Sequence, residues 1–324
     1  MKQFPFLIGL VMLIVSCETE PTLQVSTGYT QGTTYTVKYK GLKRDLSYQI
    51  DSTLLVFDRQ LSTYIKTSFI SKWNQGNNIE KAPRYFDAVV KRGLEIHKET
   101  DGAFDMTIAP LFSLWKMDEN GFLPDSSQID SVLQFIGSDK ISLDSAGIIT
   151  RSDERIRLDV NAIAQGYAVD VLADLLERYR VKDYLVEIGG EIRVKGQKAE
   201  DTPWKLAIDS PDEKGGERGS AIQFSLTDKA LATSGNYRHY IESDGKTYGH
   251  IIDPRTGWPS RSDVLSASVI APDCMTADAL ATAIMVAGSE FGKTLITENP
   301  DLEGVIITGV EGKTETWVSD GITE

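Results

Sequence analysis

The chain has 324 residues, of which 41% are hydrophobic and 25% are charged, and its formal net charge is −13. These values are typical of a globular protein with one large domain or two closely packed ones. The acidic balance, with 34 Lys and Arg against 47 Asp and Glu, excludes the broad basic surface that nucleic-acid binding requires, so no nucleic-acid partner is expected.

The N-terminus has the pattern of an export signal. Residues 1–16 contain one lysine and then an apolar run that is too short for a comfortable membrane span, which favours a signal peptide. The stretch "LIVSC" resembles a lipoprotein signal-peptidase site, so Cys17 is predicted to become the lipidated first residue; an ordinary signal sequence with a chance cysteine is the alternative. Residues 17–27 would then be the lipidated cysteine and its polar tether. Residues 28–324 would form the folded domain, as one unit or as two intimate subdomains.

The first half of the chain predicts one strand, two long helices, a loop with a short helix in "LSTYIKTSFISKWNQ" between them, and an irregular excursion. Alternating β-branched and aromatic residues in "GTTYTVKYK" indicate a strand over 32–40. Apolar residues at helical spacing predict helices over 44–60 and 84–102, the second closed by a glycine. The polar, glycine-punctuated stretch 117–155 predicts an excursion with short strands.

The second half alternates helices and strands without a regular repeat. A helix over 161–180 carries one apolar stripe and is the best-defined element. The stretch "YLVEIGGEIRVKG" predicts a hairpin that turns at Gly189 and Gly190, residues 204–270 predict strands separated by turns, and 276–287 predicts a last helix. The expected fold class is α+β, with mixed, largely antiparallel sheets and packed helices.

The helix "MTADALATAIMVAG" carries the first chemical constellation. Asp278 and Thr282 are four residues apart, which places both oxygens on one helix face. A carboxylate among small apolar residues needs a partner. That partner is either a hard cation such as Mg²⁺, which prefers oxygen ligands, or Thr282 itself in a buried hydrogen bond or capping contact. The residues alone leave both readings open.

Two further segments are compatible with a nucleotide or with purely structural roles. In "LDVNAIAQG" a strand ends at Asp159 and a helix begins, and a helix N-terminus attracts phosphate. Asp159 and Asn161 are equally good helix-capping residues. In "GAFDMTIAPLFSLW", residues 102–115, an aromatic and an acid follow a glycine turn. This segment suits the wall of a flat aromatic ligand, or a helix end that enters a buried element.

The three histidines differ in their surroundings. His97 lies in "EIHKE", which indicates a solvated helix residue, and His239 lies in an alternating strand, where packing or surface exposure is the default. His250 precedes "IIDPRTG", a tight turn that would hold the ring in place. A histidine so placed suits proton transfer near neutral pH, although a structural role is also open.

Taken in order, eight segments resemble the FAD:protein FMN transferases, the ApbE-type flavin transferases, in their lipoprotein form. The resemblance covers residues 28–310, nearly the whole predicted mature chain. The segments are "GTTYTVKY", "LSTYIKTS", "GAFDMTIAPL", "DVNAIAQGYAVD", "EIGGEI", "ATSGNYRHY", "HIIDPRTG" and "TADALATA".

The resemblance implies an enzyme that binds FAD in a cleft between two closely packed subdomains. With Mg²⁺ it would transfer FMN to a Thr or Ser hydroxyl of an acceptor protein as a phosphoester and release AMP. The acceptors in the family resemble flavoprotein subunits of membrane electron-transport complexes. The chain would therefore be exported, anchored to a bacterial membrane through Cys17, and would face the periplasm or the cell exterior.

The resemblance also implies roles for individual residues. The metal would be held by the Ala162 carbonyl, Asp278 and Thr282, and His250 would deprotonate the acceptor hydroxyl. The residues implied in FAD binding are Gln31, Tyr64, Ala103, Phe104, Asp105, Asp159, Gln165 and Ile252.

Four positions depart from the commonest family pattern. Gln31 stands where Met is frequent, and Gln165 replaces a frequent Lys, which removes one positive charge near the phosphates. Asn161 takes a usual Gly position, and Ala281 stands where some members place a second acid. If that acid is a ligand, the metal here has one protein oxygen fewer and one more water.

Two other functions share most of these residues. An FAD pyrophosphatase would use the same site with water as the acceptor and would give FMN and AMP. A periplasmic flavin-binding lipoprotein would need neither metal ligands nor a base, so the joint presence of Asp278, Thr282 and His250 argues against it.

Overall fold

A computed structural model describes most of the chain but not the N-terminal residues 1–21 and several further short segments. His239, His250 and Cys17 lie outside the described residues, as does the predicted signal peptide. The described ranges are 22–76, 81–115, 123–199, 202–209, 220–235, 240–243, 246–249, 251–310 and 313–322.

Eight α-helices lie within these ranges. They are α1 Ser47–Leu61, α2 Phe69–Asn74, α3 Arg84–Glu99, α4 Ala109–Trp115, α5 Ser126–Leu133, α6 Asn161–Arg178, α7 Cys274–Ala287 and α8 Ser289–Glu298. Short 3₁₀ turns at Met106–Ile108 and Ser138–Lys140 precede α4 and follow α5.

One eight-stranded sheet is the centre of the fold. Its strands, in spatial order, are β1 Gln24–Thr30, β2 Thr33–Tyr39, β5 Tyr184–Ile188, β6 Glu191–Lys195, β9 Ala230–Gly235, β12 Val264–Ala271, β13 Glu303–Val310 and β14 Lys313–Val318. The remaining strands form three hairpins, β3 Ile141–Leu143 with β4 Ile149–Arg151, β7 Trp204–Asp209 with β8 Ser220–Leu226, and β10 Tyr240–Ser243 with β11 Lys246–Gly249. Among the described residues every strand pair is antiparallel, which confirms the α+β class.

The predicted helices and the β5–β6 hairpin are present, with three differences. The stretch 117–155 contains α5, which begins with a capping box in which Asp125 and Gln128 each accept a backbone hydrogen bond of the other. The helix predicted over 276–287 starts two residues earlier, and α8 follows it after Gly288. Strand β1 begins at Gln24, so the sheet starts inside the stretch predicted as tether.

The two faces of the sheet bury different clusters. Helices α1, α3, α6 and α7 supply most of the main core on one face, whereas the β7–β8 hairpin covers part of the other. A third cluster joins α4 and α5 to Ile252. Within the part of the chain that the structure describes, no helix combines the length and apolarity needed to span a bilayer.

The pair formed by α6 and α7 positions the site. Both helices are rich in small residues, and Gly166 of α6 lies directly against α7. A Cβ on Gly166 would lie 2.3 Å from the Cys274 carbonyl oxygen, so only glycine allows this approach. The contacts run forward along α6 and backward along α7, because residue 166 meets residue 278 and residue 170 meets residue 274. The two helices are therefore antiparallel.

Candidate active site

A cavity of about 340 Å³ opens where α6 begins and α7 passes its midpoint. It gathers five of the residues implied in FAD binding, namely Ala103, Phe104, Asp105, Asp159 and Ile252. It is also lined by all three implied metal ligands, Ala162, Asp278 and Thr282. The cavity thus brings together implied site residues that are up to 179 positions apart in the chain, from 103 to 282.

A second cavity of about 260 Å³ also reaches the N-terminus of α6. It is lined by the remaining three implied FAD residues, Gln31, Tyr64 and Gln165. Asn161 lines both cavities, so the two adjoin at the first residue of α6. Every implied FAD or metal residue that the structure describes lies at one of these two cavities.

Asp278 is the buried acid of the first cavity. Its side chain accepts a hydrogen bond from the Gly166 backbone N–H at 2.9 Å, and only 6% of the residue is exposed. Burial raises the pKa of Asp278, against the lowering effect of this hydrogen bond. Burial, together with the nearby Asp278, also raises the pKa of Glu191. Neither Asp278 nor Glu191 takes part in a salt bridge with a described residue, so no described basic side chain pairs with either carboxylate.

Thr282 completes the polar face of α7, one turn after Asp278. Its hydroxyl lies within hydrogen-bonding distance of the Ser234 hydroxyl of β9, at 3.2 Å, and it forms no described hydrogen bond with Asp278. The predicted alternative of a buried Asp–Thr hydrogen bond is therefore absent from the described contacts. The cavity therefore offers three oxygen donors, the carbonyl of Ala162, the carboxylate of Asp278 and the hydroxyl of Thr282. Mg²⁺ prefers oxygen ligands of these kinds, so the donor set is suitable for this ion.

Asp159 lies two residues before the first residue of α6. Its carboxylate accepts the Asn161 backbone N–H at 2.8 Å and the Asn161 side-chain amide at 3.2 Å. The N-cap residue itself is Val160, which makes no side-chain capping bond, so the Asp159 contact is a local turn that occupies the first N–H of this helix. Because Asp159 also lines the cavity, this turn lies at the cavity wall.

The side chain of Asp105 is committed to the protein. Its carboxylate accepts hydrogen bonds from the backbone and hydroxyl of Thr107 at 2.7 and 2.6 Å, and from the backbone and hydroxyl of Ser138 at 2.9 and 2.8 Å. Although burial opposes it, hydrogen bonds from His97 and Thr107 lower the pKa of Asp105. Asp105 lies in the cavity wall next to Phe104. Because its carboxylate already accepts these hydrogen bonds, we expect a ligand to contact the other atoms of Asp105.

His97 was predicted as a solvated helix residue, and this prediction is wrong. Its Nδ1 lies 3.1 Å from Asp105 Oδ2, and its side chain is only 18% exposed. The chain reverses at Gly102, where φ is 75°, and returns over the last turn of α3. The Asp105 hydrogen bond, with burial opposing it, raises the pKa of His97. The sequence spacing of a histidine eight residues before an acid, across a glycine turn, was the one available signal.

The side chain of Gln165 hydrogen-bonds within the protein. Its Nε2 donates to the Ile188 carbonyl at 3.0 Å and to the Glu191 carboxylate. A Cβ on Gly189 would lie 2.4 Å from the same nitrogen, so the β5–β6 turn closes tightly over this amide. The side chain therefore ties α6 to the sheet as a neutral donor.

The turn after His250 is built as the sequence predicts. Gly257 donates its backbone N–H to the Asp253 carbonyl at 2.8 Å, and Arg255 pairs with the Asp253 carboxylate at 2.8 Å. The indole of Trp115 donates to the Gly257 carbonyl at 2.7 Å and anchors the turn to α4. Residues 251 and 252, which directly follow His250, line the first cavity.

The fold and the two cavities place the molecule in the class of α+β proteins that have a cleft at the end of an antiparallel helix pair. The ApbE family model matches residues 31–306. The chain therefore belongs to the ApbE family.

Relatives and a solved structure agree with this assignment. A protein of Vibrio cholerae named FAD:protein FMN transferase is 35% identical over 310 residues, which cover 92% of each chain. An Escherichia coli protein of the same name is 31% identical over 338 residues and covers 97% of this chain and 94% of its own. The solved flavin transferase ApbE from Vibrio cholerae superimposes with a TM-score of 0.82 at 33% identity, over 93% of this chain and 98% of that one. The family resemblance found in the sequence is thus confirmed.

Proposed function

We propose that this ApbE-family protein uses Mg²⁺ to transfer FMN from FAD to a Thr or Ser hydroxyl of an acceptor protein, forming a phosphoester and releasing AMP. Family membership makes the chain a flavin transferase with FAD as its substrate. The metal, the phosphoester bond and the acceptor hydroxyl are the proposed parts. The observation that carries them is the meeting of Ala162, Asp278 and Thr282 at one cavity.

The shape of the cleft supports the binding of a two-part nucleotide. The two cavities adjoin at Asn161, at the N-terminus of α6, where backbone N–H groups favour an anionic group. FAD has two bulky ends joined by a pyrophosphate, and an arrangement with one end in each cavity would put the pyrophosphate near this helix end. Gln31 and Tyr64 would then contact one end, and Phe104 and Ile252 the other.

The oxygen donors support a divalent cation rather than a purely structural acid. Asp278 is buried and lacks a described salt-bridge partner, so a cation would remove the cost of its charge. When bound, Mg²⁺ would stabilise the charge that develops on the phosphoryl oxygens. The protein's own contribution is to hold the Asp278 carboxylate through Gly166 and to keep the Thr282 hydroxyl near Ser234.

The proposed step is a displacement at the phosphorus of the FMN half. The acceptor hydroxyl oxygen forms the new P–O bond, and the P–O bond to the AMP half breaks, so AMP leaves with that electron pair. The hydroxyl proton moves to His250, the proposed base. His250 lies outside the described residues, and the support for its role is that Ile251 and Ile252 line the cavity.

We further propose that the protein is exported and anchored through Cys17 to a bacterial membrane, with acceptors among the flavoprotein subunits of membrane electron-transport complexes. The support is the signal-like pattern of residues 1–17. Strand β1 begins at Gln24, and seven extended residues span at most about 25 Å. A lipid at Cys17 would therefore keep the cleft close to membrane-bound acceptors.

The test is incubation of the chain from residue 18 with FAD, Mg²⁺ and a candidate acceptor domain, followed by detection of covalent flavin fluorescence on the denatured acceptor. The expected result is a fluorescent acceptor and one equivalent of AMP, both abolished by chelator. Release of FMN and AMP without modification of any acceptor would instead indicate a pyrophosphatase. Tight FAD binding without turnover would indicate a flavin carrier.

A further inference from the structure

We propose that Asp170 and Arg193 are positioning residues, which set the register of α7 against α6 and thereby the place of the Asp278 and Thr282 oxygens. The inference rests on the proposed metal site, because it concerns how that site is held. Neither residue lines either cavity. Their effect on the reaction would therefore pass entirely through the helix pair.

Asp170 joins three elements at one buried point. Its carboxylate accepts the backbone N–H of Cys274 at 3.0 Å and that of Met275 at 2.8 Å, which are the first two residues of α7. Arg193 of β6 donates to the same carboxylate at 2.7 Å. Asp170 is 6% exposed, so these contacts are shielded from water. An acid of α6 thus caps α7 from outside, and the sheet supplies its counter-charge.

The same spacing on both helices links this cap to the site. On α6 the residues that hydrogen-bond to α7 are Gly166 and Asp170, and Ala162, which lines the cavity, lies four residues before Gly166. On α7 the order is reversed, since Cys274 meets Asp170, Asp278 meets Gly166, and Thr282 lines the cavity with Ala162. Each step is about one helical turn, so a contact at the Asp170 end determines the alignment at the Thr282 end.

The contacts of Asp170 are satisfied in this register of α7. Sliding α7 by one residue moves its atoms by about 1.5 Å and turns its side chains by about 100°. Such a shift would break both N–H bonds to Asp170 and leave a buried carboxylate with fewer donors. Burial raises the pKa of Asp170 to about 6, and the Arg193 guanidinium opposes this rise. Arg193 therefore keeps the cap ionised, and it is itself held by the carboxylate that it neutralises.

A purely structural role would affect stability alone, and Asp263 offers the matched control. Asp263 accepts the backbone N–H of Ser289 at 3.0 Å and its hydroxyl at 2.5 Å, so it too is an acid from another element that caps the first residue of a helix, here α8. Helix α8 carries none of the residues assigned to the site. Asp170→Asn and Asp263→Asn therefore each remove one capping carboxylate, and only the first does so at a helix that carries site residues.

The experiment measures binding of Mn²⁺, as a paramagnetic substitute for Mg²⁺, to the full chain by the loss of the free-ion signal, together with the urea unfolding midpoint. Asp170→Asn is expected to weaken Mn²⁺ binding about tenfold, the size of effect usual for residues that orient metal ligands. Asp263→Asn should lower the unfolding midpoint and leave Mn²⁺ affinity unchanged. Steady-state kinetics should show a fall in kcat for Asp170→Asn with little change in KM for FAD.

A second pair of variants covers the case in which Asp170→Asn fails to fold. Arg193→Met keeps the Asp170 bonds to α7 and removes the counter-charge, and it should weaken Mn²⁺ binding in the same direction. Arg193→Lys retains the charge and should restore most of the affinity. Parental Mn²⁺ affinity in folded Asp170→Asn or Arg193→Met would overturn the inference alone. No Mn²⁺ binding by the parental chain would overturn the proposed metal site, and this inference with it.

Discussion

The backbone N–H of Gly166 donates a hydrogen bond to Asp278 Oδ2 across the α6–α7 interface, at 2.9 Å. The two residues are 112 positions apart, and the bond exists because residue 166 has no side chain. A Cβ there would lie 2.8 Å from the Asp278 Cβ as well as 2.3 Å from the Cys274 carbonyl oxygen. The proposed metal ligand is thus oriented by the backbone of the neighbouring helix.

Gly166→Ala is expected to force the two helices apart and to reduce both stability and flavin transfer. The obstructing atoms are backbone and a Cβ, which cannot move aside, so the loss should be about 1–3 kcal/mol in the free energy of unfolding. Urea denaturation and transfer assays measure the two effects. Gly93→Ala is the control, because the three atoms nearest to a Cβ there all belong to the side chain of Met106, which can change its rotamer, and not to the backbone. Equal behaviour of the two variants would contradict the close-approach argument.

Asp278→Asn should separate stability from activity. The amide can still accept the Gly166 N–H, and it carries no charge to desolvate, so the chain in chelator should be as stable as the parent or more so. Transfer should fall roughly 100-fold or more, because a group that stabilises developing charge is lost. Thermal unfolding and transfer rates are measured beside Asp174→Asn, which changes an exposed acid of α6. A variant with parental activity in chelator would rule out the metal role.

His250→Ala should retain FAD binding and lose transfer. A positioned base contributes about 10²–10⁴-fold to rate, whereas the implied FAD contacts are made by other residues. Fluorescence titration with FAD and single-turnover transfer give the two quantities. His239→Ala serves as the histidine control and should retain both. Transfer at the parental rate by His250→Ala would leave the histidine with a structural role only.

His97→Gln should reveal a pH-dependent contribution to stability. The fold raises the pKa of His97 above its unfolded value of about 6.5, so its contribution is fully present below that pH and is lost as pH rises through the folded pKa. Asp105 has a lowered pKa, so its own contribution is present above the ordinary carboxyl range, about pH 4, and is lost as pH falls through its folded pKa. Gln keeps a neutral donor near Asp105 but cannot be charged.

The parent should therefore have a higher free energy of unfolding than His97→Gln near pH 5.5, and this advantage should be lost near pH 9. Urea denaturation at the two pH values measures it. A difference of the same size at both would mean that packing of the ring, and not its charge, matters.

Local patterns predicted much of the fold because they depend on near neighbours. The period of α6 and the four-residue spacing of Asp278 and Thr282 are properties of single helices, and both are present. The excursion at 117–155 was predicted without a helix, since α5 is short and polar and buries only Ile129 completely. Its capping box was the available signal.

The site was harder to predict because it forms between distant segments. Nothing local to Ala162 indicates that it shares a cavity with Thr282, and the family resemblance supplied that expectation. The solvated role predicted for His97 followed from its charged neighbours, whereas its actual surroundings are set by the chain reversal at Gly102. Both cases depend on tertiary contacts that override sequence neighbourhood.

The matched four-residue steps of α6 and α7 also restrict how these helices can change during evolution. Side chains between the steps can be exchanged for others of similar size, and Ala162 would contribute only a main-chain atom to the site. Insertion or deletion of a single residue between 162 and 170 would rotate the Ala162 end of α6 by about 100° relative to the Asp170 end. We therefore expect the number of residues from 162 to 170 to be constant among related chains, and Gly166 and Asp170 to be retained, whereas the positions between these contacts can vary in identity.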